Sequence, residues 1–291
     1  MRSASASEKP AILVGMRRPA HAADSRRHTV ERLRSAGCVF AEDEARILHE
    51  TATTHDELAS LLERRVAGEP LEQVVGWAEF AGLRIVVEPG VFVPRRRTEC
   101  LAGLAASGAP ARAVVVDLCC GSGAVGVAVA TLIGDADLHA ADADPAAVRC
   151  ARRNVRGVGG RVYEGDLDQP LPSGLRGRVD VLVANPPYVP TAELTLMPAE
   201  ARLYEPRPAL DGGPDGLDIA RRVCELAPGW LAPGGRLLVE TSEPQADRLA
   251  ASARRPGLIP RIHRCEELDA TVLVATAPTP PDDGPEDGAG R

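Results

Sequence analysis

The chain of 291 residues predicts an α/β protein, with a mostly parallel sheet covered by helices on both faces. Three observations predict this class. From Ala113 onward, short β-branched runs alternate with stretches of helical period, the pattern of a parallel sheet. A glycine loop, Gly121-Ser122-Gly123, separates the first of these runs from a helix. A later run, Val179 to Ala184, ends abruptly at Asn185-Pro186-Pro187-Tyr188. Neither proline can donate to a ladder, and each biases its predecessor away from the helical region, which gives a stiff extended corner at the carboxyl end of a strand. Open α/β sheets bind their ligands at those ends.

Taken in order, residues 1 to 27 are rich in Ala, Ser and Arg without period and read as a flexible leader. Residues 28 to 72 form a helical unit: Val30, Leu33, Ile47, Leu48, Leu58, Leu61, Leu62 and Val66 recur at three- and four-residue steps among charges. This unit carries no chemistry of its own and reads as a lid or substrate-docking domain. Residues 73 to 99 read as a β-hairpin linker. In it Val74 to Phe80 and Leu83 to Glu88 flank Ala81-Gly82, and a further strand spans Val91 to Val93. Arg95 to Arg97 follow it and either face solvent or line a cleft. The catalytic domain spans 100 to 277. Its strands are expected at Ala113–Asp117, Asp137–Asp142, Val162–Glu164, Asp180–Ala184 and Arg236–Glu240, followed by a closing antiparallel pair, Leu258–Arg264 and Thr271–Thr276. Its helices are expected at Gly121–Leu132, Pro145–Val155, Gly216–Leu226 and Pro244–Arg254. Residues 278 to 291 are Pro-, Gly- and Asp-rich and read as a disordered tail.

Composition excludes several classes. A net charge of −7 argues against a nucleic acid as the direct substrate, because phosphate contacts call for a basic footprint. Seven cysteines without CxxC pairs suit a reducing, cytoplasmic setting and fit neither a disulfide framework nor a zinc site. The adjacent Cys119 and Cys120 read first as small buried residues at a strand end, with a catalytic cysteine as the second reading. The histidines have no metal-ligand spacing, and Asp211 to Asp218 lacks the alternation of a calcium loop. No metal and no membrane span are expected, since a span needs roughly 20 apolar residues in succession.

Gly121, Gly123 and Gly126 satisfy GxGxxG, so a dinucleotide oxidoreductase is a rival reading. Against it, Asp117 precedes the loop, where it would repel a pyrophosphate. Asp142 and Asp166 end the next two strands, and the loop has no Lys or Arg. A pocket edged by carboxylates suits S-adenosylmethionine, a sulfonium with an amino-acid end. At the proline corner, the Asn185 amide, the Pro186 carbonyl and the Tyr188 ring together suit a planar group bearing an NH₂.

Taken together, the segments Gly68-Glu69-Pro70-Leu71, Gly76, Glu79-Phe80, Pro94-Arg95, Thr98-Glu99, Asp117 to Gly123, Asp142, Gly165-Asp166 and Asn185 to Tyr188 carry a family pattern. It continues through Tyr204-Glu205-Pro206, Ala209-Leu210, Gly212-Gly213 and Asp215-Gly216-Leu217-Asp218. From about residue 40 to 277 the chain resembles the HemK/PrmC-type protein-(glutamine-N5) methyltransferases. Arg97 departs from the family, which usually has an acidic residue there.

The resemblance implies a class I S-adenosylmethionine-dependent methyltransferase fold, Rossmann-like, with a mostly parallel seven-stranded sheet. It implies N5-methylation of a glutamine in a protein, the Gly-Gly-Gln loop of a peptide chain release factor. The alternative is N-methylation of a base in RNA or DNA. Asn185, Pro186, Pro187 and Tyr188 are the expected catalytic corner. The expected cofactor residues are Asp117, Cys119, Cys120, Gly121, Ser122, Gly123, Asp142, Asp166, Leu167 and Asn185, with Arg95, Thr98 and Glu99 ordering the cofactor end. Phe80 and Phe92, with Tyr188, are the expected walls of the substrate channel, although both phenylalanines also suit hairpin core.

Overall fold

The computed structural model describes residues 20–279. The chain divides into two compact units, Met1–Ala67 and Gly68–Arg291. The first contains α1 (Ala20–Ser35), α2 (Ala41–Thr51) and α3 (His55–Val66). Thr54 caps α3 by accepting from the Glu57 N–H at 3.1 Å, and Glu57 accepts from the Thr53 N–H at 2.7 Å, which satisfies two donors at the helix start. Arg65 and Glu44 form a buried ion pair at 2.6 Å between α2 and α3. Two boundaries differ from expectation. Residues 1–19 of the expected leader lie outside the described residues, but α1 already begins at Ala20, where Ala and Arg favour helix. The first unit ends at Ala67 rather than at residue 72, and the hairpin belongs to the second unit. Most of the expected tail, from residue 280, lies outside the described residues.

The second unit opens with a short helix, α4 (Leu71–Val75), closed by Gly76 at φ +83°. Val74 and Val75 are therefore helical and not the start of a strand. The hairpin consists of β1 (Trp77–Phe80) and β2 (Leu83–Val86). Val91 to Val93 form no strand; their burial comes from irregular chain whose alternate side chains point inward. A 3-10 turn at Arg96–Thr98 then leads into α5 (Glu99–Ala106).

The sheet core is β3 (Val114–Leu118), α6 (Ala124–Ile133), β4 (Asp137–Asp142), α7 (Pro145–Val155), β5 (Arg161–Glu164) and β6 (Val179–Ala184). It continues through α8 (Ala199–Tyr204), α9 (Asp218–Leu226), β7 (Leu231–Thr241), α10 (Ala246–Arg254), β8 (Ile259–Cys265) and β9 (Ala270–Thr276). Among the described residues, seven strands form one sheet in the order β5-β4-β3-β6-β7-β9-β8, parallel except where β9 pairs with β7 and β8. This is the expected class I architecture.

Side-chain alternation assigns the two faces of the sheet. Val116, Leu118, Leu182, Leu237 and Val239 pack with α9 and α10, whereas Val115, Val181, Val183 and Leu238 pack with α5 and α6. The chain order reverses between β3 and β6, so the carboxyl ends of these neighbours flank the switch point where such sheets bind ligands. The glycine loop and the proline corner both begin there.

Candidate active site

The first half of the site is the turn after β3. Asp117 is buried and accepts a hydrogen bond from the Gly126 N–H at 2.9 Å, which ties the strand end to the first turn of α6. A Cβ at Gly126 would lie 2.9 Å from that carboxylate oxygen, so glycine is required for close packing. Gly121 has φ +55°, and its N–H donates to Asp142 at 2.8 Å. Asp142 also accepts from the Asp144 N–H at 2.9 Å. Two residues other than glycine hold positive φ here, Cys119 at +55° and Leu167 at +51°. Each costs of order 1 kcal/mol and lies just past a strand end, so local strain is concentrated at the rim of one cleft.

That cleft measures about 250 Å³. Its walls include Phe92, Thr98, Asp117, Cys119, Cys120, Gly121, Ser122, Asp142, Asp166, Leu167, Asn185 and Pro187. Asp144 adds a further carboxylate, and among the described residues no Lys or Arg lines it. This donor set fits a cationic ligand with hydroxyls and does not fit a pyrophosphate. Burial pushes the Asp117 carboxyl up to about 7, opposed by the Gly126 hydrogen bond. Burial likewise raises Asp142. The Cys119 and Cys120 thiols are driven far up by burial and then by the neighbouring aspartates, which argues against a catalytic cysteine.

The second half is the corner after β6. Pro186 and Pro187 are buried, and Asn185 borders both the cleft and a narrow neck of about 50 Å³. Phe92, Arg95, Pro186 and Tyr188 line this neck. The Asn185 Oδ1 is buried and has no hydrogen-bond partner among the described residues. Gln245 fixes the corner from behind: its Nε2 donates to the Tyr188 carbonyl at 2.9 Å and the Asp215 carbonyl at 3.0 Å. Gly216, at φ +76°, passes so close that a Cβ would lie 2.3 Å from the Tyr188 carbonyl oxygen. The Gly212 N–H donates to the Val189 carbonyl at 2.9 Å and completes the support.

Several expected residues have other places. Phe80 is fully buried in the core with Ile85 and Leu101, so it cannot wall a channel. Phe92 does line both cavities. Glu99 accepts from the Ala81 N–H at 3.1 Å and holds the hairpin tip instead of the cofactor end. Arg95 faces the neck, not the cleft, and binds Glu205 through Nη2 at 2.6 Å to each carboxylate oxygen. Gly123 caps α6 at φ +79° and backs onto Val155 and Ala151 of α7, outside the cleft lining.

Two contributors, Asn154 and Glu240, lie outside both the expected site and the family pattern, and Glu205 of that pattern acquires a defined role. Glu205 is buried and joins the Pro94-Arg95 and Tyr204-Glu205-Pro206 segments by also accepting from the Val93 N–H at 3.2 Å. Asn154 on α7 bonds Val86 through both ends of its amide and donates to the Ser122 carbonyl at 2.9 Å, linking hairpin and glycine loop. Glu240 is a buried charge that directly follows the apolar run Leu237–Val239 of β7, which was the available signal for it.

Comparison with known proteins adds independent evidence. Residues 82–213 match the family model described as methyltransferase small domain. The chain is 42% identical over 207 residues to a release factor glutamine methyltransferase of Geobacter sulfurreducens, covering 69% of this chain and 72% of the relative. It is 40% identical over 202 residues to a 4-amino-L-phenylalanine/4-methylamino-L-phenylalanine methyltransferase of Streptomyces pristinaespiralis, covering 67% and 68%. Among solved structures, a methyltransferase from Pyrococcus furiosus superposes with a TM-score of 0.51 at 15% identity over 77% of this chain and all of that one, a likeness of fold.

Proposed function

The chain belongs to the release factor glutamine methyltransferase family, and from that premise we propose that it methylates the side-chain nitrogen of a glutamine in a peptide chain release factor. The cofactor is S-adenosylmethionine, which supplies an electrophilic methyl group on a sulfonium. The carboxylate-edged cleft is the place for it. Asp142, at the end of β4, would take the ribose hydroxyls, and Asp117 would face the cationic end.

The observation that carries the reading is the Asn185 Oδ1, buried without a partner where the cleft meets the neck. A buried carbonyl oxygen left unsatisfied costs about 1–3 kcal/mol, so the fold holds it ready for a donor that arrives with substrate. A carboxamide NH₂ is such a donor. Its lone pair is delocalised and poorly nucleophilic. Hydrogen bonds from its two N–H groups to Asn185 Oδ1 and the Pro186 carbonyl return electron density to nitrogen and aim it toward the cleft. Catalysis is then positioning and electrostatics, with no general base needed before transfer; the N–CH₃ bond forms as the S–CH₃ bond breaks, and the strongly acidic protonated amide then releases one N–H proton to solvent. Tyr188 closes over the amide plane and excludes water.

The Streptomyces pristinaespiralis relative supports a second reading, an aromatic amine on a free amino acid, which also presents a flat NH₂-bearing group. Parallel reactions with a release factor, 4-aminophenylalanine and RNA, all containing labelled S-adenosylmethionine, separate the candidates. Label in the release factor alone supports our reading; label in either of the others with an unmodified release factor overturns it.

A further inference from the structure

The tyrosine of the proline corner is held by two residues that belong to neither the cofactor cleft nor the amide acceptors. Arg97 Nη2 donates to the Tyr188 hydroxyl at 2.5 Å. That hydroxyl in turn donates to Glu240 Oε1 at 3.5 Å, and Arg97 Nε lies 3.4 Å from the same oxygen. The three groups close a ring. Register brings Glu240 to the corner: β6 and β7 are parallel with Ala184 opposite Val239, so Asn185, just past β6, comes beside Glu240. Val183 and Leu238 pack on one face of the sheet, and by alternation Asn185 and Glu240 point to that same face.

The ring joins unlike parts. Glu240 is 2% exposed at the end of a core strand, whereas the Arg97 side chain is 45% exposed on the 3-10 turn before α5. Arg97 also lies 5.9 Å from the Tyr188 ring centroid. A phenol held at 2.5 Å by a guanidinium and at 3.5 Å by a buried carboxyl group has a preferred orientation, set mainly by the short charge-assisted bond from Arg97. Arg95, the neighbouring cation, is engaged separately by Glu205 and does not compete for the phenol.

We propose that Arg97 and Glu240 are positioning residues that lock the Tyr188 ring across the acceptor neck, so that the acceptor nitrogen is held in line with the cofactor methyl group. The inference rests on methyl transfer taking place at the Asn185 corner. Arg97 also lines the neck beside Tyr188, whereas Glu240 does not; the role assigned to both is through the orientation of Tyr188.

The test is a double-mutant cycle on the full-length enzyme with Arg97→Ala, Tyr188→Phe and the pair, with Arg97→Lys as the conservative control. Loss of the lock lowers kcat by about tenfold in each single variant, from the loss of one charge-assisted hydrogen bond. The double variant is no slower than the worse single, S-adenosylmethionine affinity stays within about twofold, and Arg97→Lys recovers part of the rate. Additive losses, or a change confined to KM, overturn the proposal.

A second readout needs no acceptor at all. The chain has three tyrosines, so 3-fluorotyrosine labelling gives three ¹⁹F resonances, and Tyr188→Phe assigns one of them. Arg97→Ala and Glu240→Gln must each shift and narrow the Tyr188 resonance while leaving the other two unchanged. An unmoved resonance refutes the lock whatever the enzyme methylates. If the wild-type enzyme leaves release factor unmodified, the function assigned to the corner fails, and the fluorine spectra still decide the lock.

Discussion

Replacing Asn185 by alanine separates activity from stability, and the two effects have different signs. The Oδ1 lost is buried and unpartnered. In the reaction it would accept from an amide nitrogen that gains positive character as the methyl arrives. Loss of one preorganised partner of developing charge costs about 10²–10³ in kcat, or about 3–4 kcal/mol of barrier. In the folded protein the same atom makes no hydrogen bond, so its removal relieves a desolvation cost of about 1–3 kcal/mol. The small cavity left behind offsets much of that gain. Net stability should change by less than about 1 kcal/mol, a shift in Tm of no more than about 3 °C in a chain of this size. Asn185 only edges the cofactor cleft, so the Kd for S-adenosylmethionine should rise less than about threefold. Initial rates with labelled cofactor, thermal unfolding and calorimetry measure the three quantities. A variant within tenfold of wild-type rate refutes the role of Asn185. A fall in Tm of roughly 10 °C would show that the amide is a structural group.

Other perturbations have calculable outcomes. Asp117 has a folded-state pKa of about 7, above the unfolded value near 4, so the folded cofactor-free protein binds more protons between those values. Stability from this group is full below about pH 4 and is lost as pH rises through 7; urea titrations at pH 5.5 and 8 should show the decline, and Asp117→Asn should flatten it. A cation selects the ionised carboxylate, so S-adenosylmethionine should bind about tenfold more weakly at pH 6 than at pH 8, and pH-independent calorimetry would contradict this. Gln245→Ala removes hydrogen bonds to the Tyr188 and Asp215 carbonyls, and unfolding scans should register a Tm lower by about 5 °C together with reduced kcat. Asp142→Asn leaves the backbone bonds of the turn weaker and should raise the cofactor Kd by about tenfold or more, while an unchanged Kd would remove Asp142 from the ribose site.

The sheet was legible in the sequence because its buried strands are apolar runs that end at glycine, proline or aspartate. β4 and α7 occur at their expected bounds, and β3, β5 and β6 within about one residue. What failed has a physical cause. The Val74–Val75 pair has strand-like β-branching, but Pro70 and Gly76 enclose just one helical turn. Val91 to Val93 alternate like a strand yet find no partner strand.

At the site, the carboxylates and the proline corner were legible because short motifs carry them. Phe80 misled because a hairpin aromatic beside a cleft and one beneath it look alike in sequence. Glu240, Gln245 and Asn154 act through contacts with residues 52, 57 and 68 positions away, which no local pattern encodes.

The central claim is that the Asn185 corner delivers a methyl group to a glutamine nitrogen of a release factor. Fragment-ion mass spectrometry of release factor recovered from reaction with isotopically labelled S-adenosylmethionine tests it directly. The account predicts one labelled methyl group, on a glutamine side chain, absent when Asn185→Ala replaces the wild-type enzyme. A release factor that gains no methyl group, or one labelled at any residue other than glutamine, would contradict it.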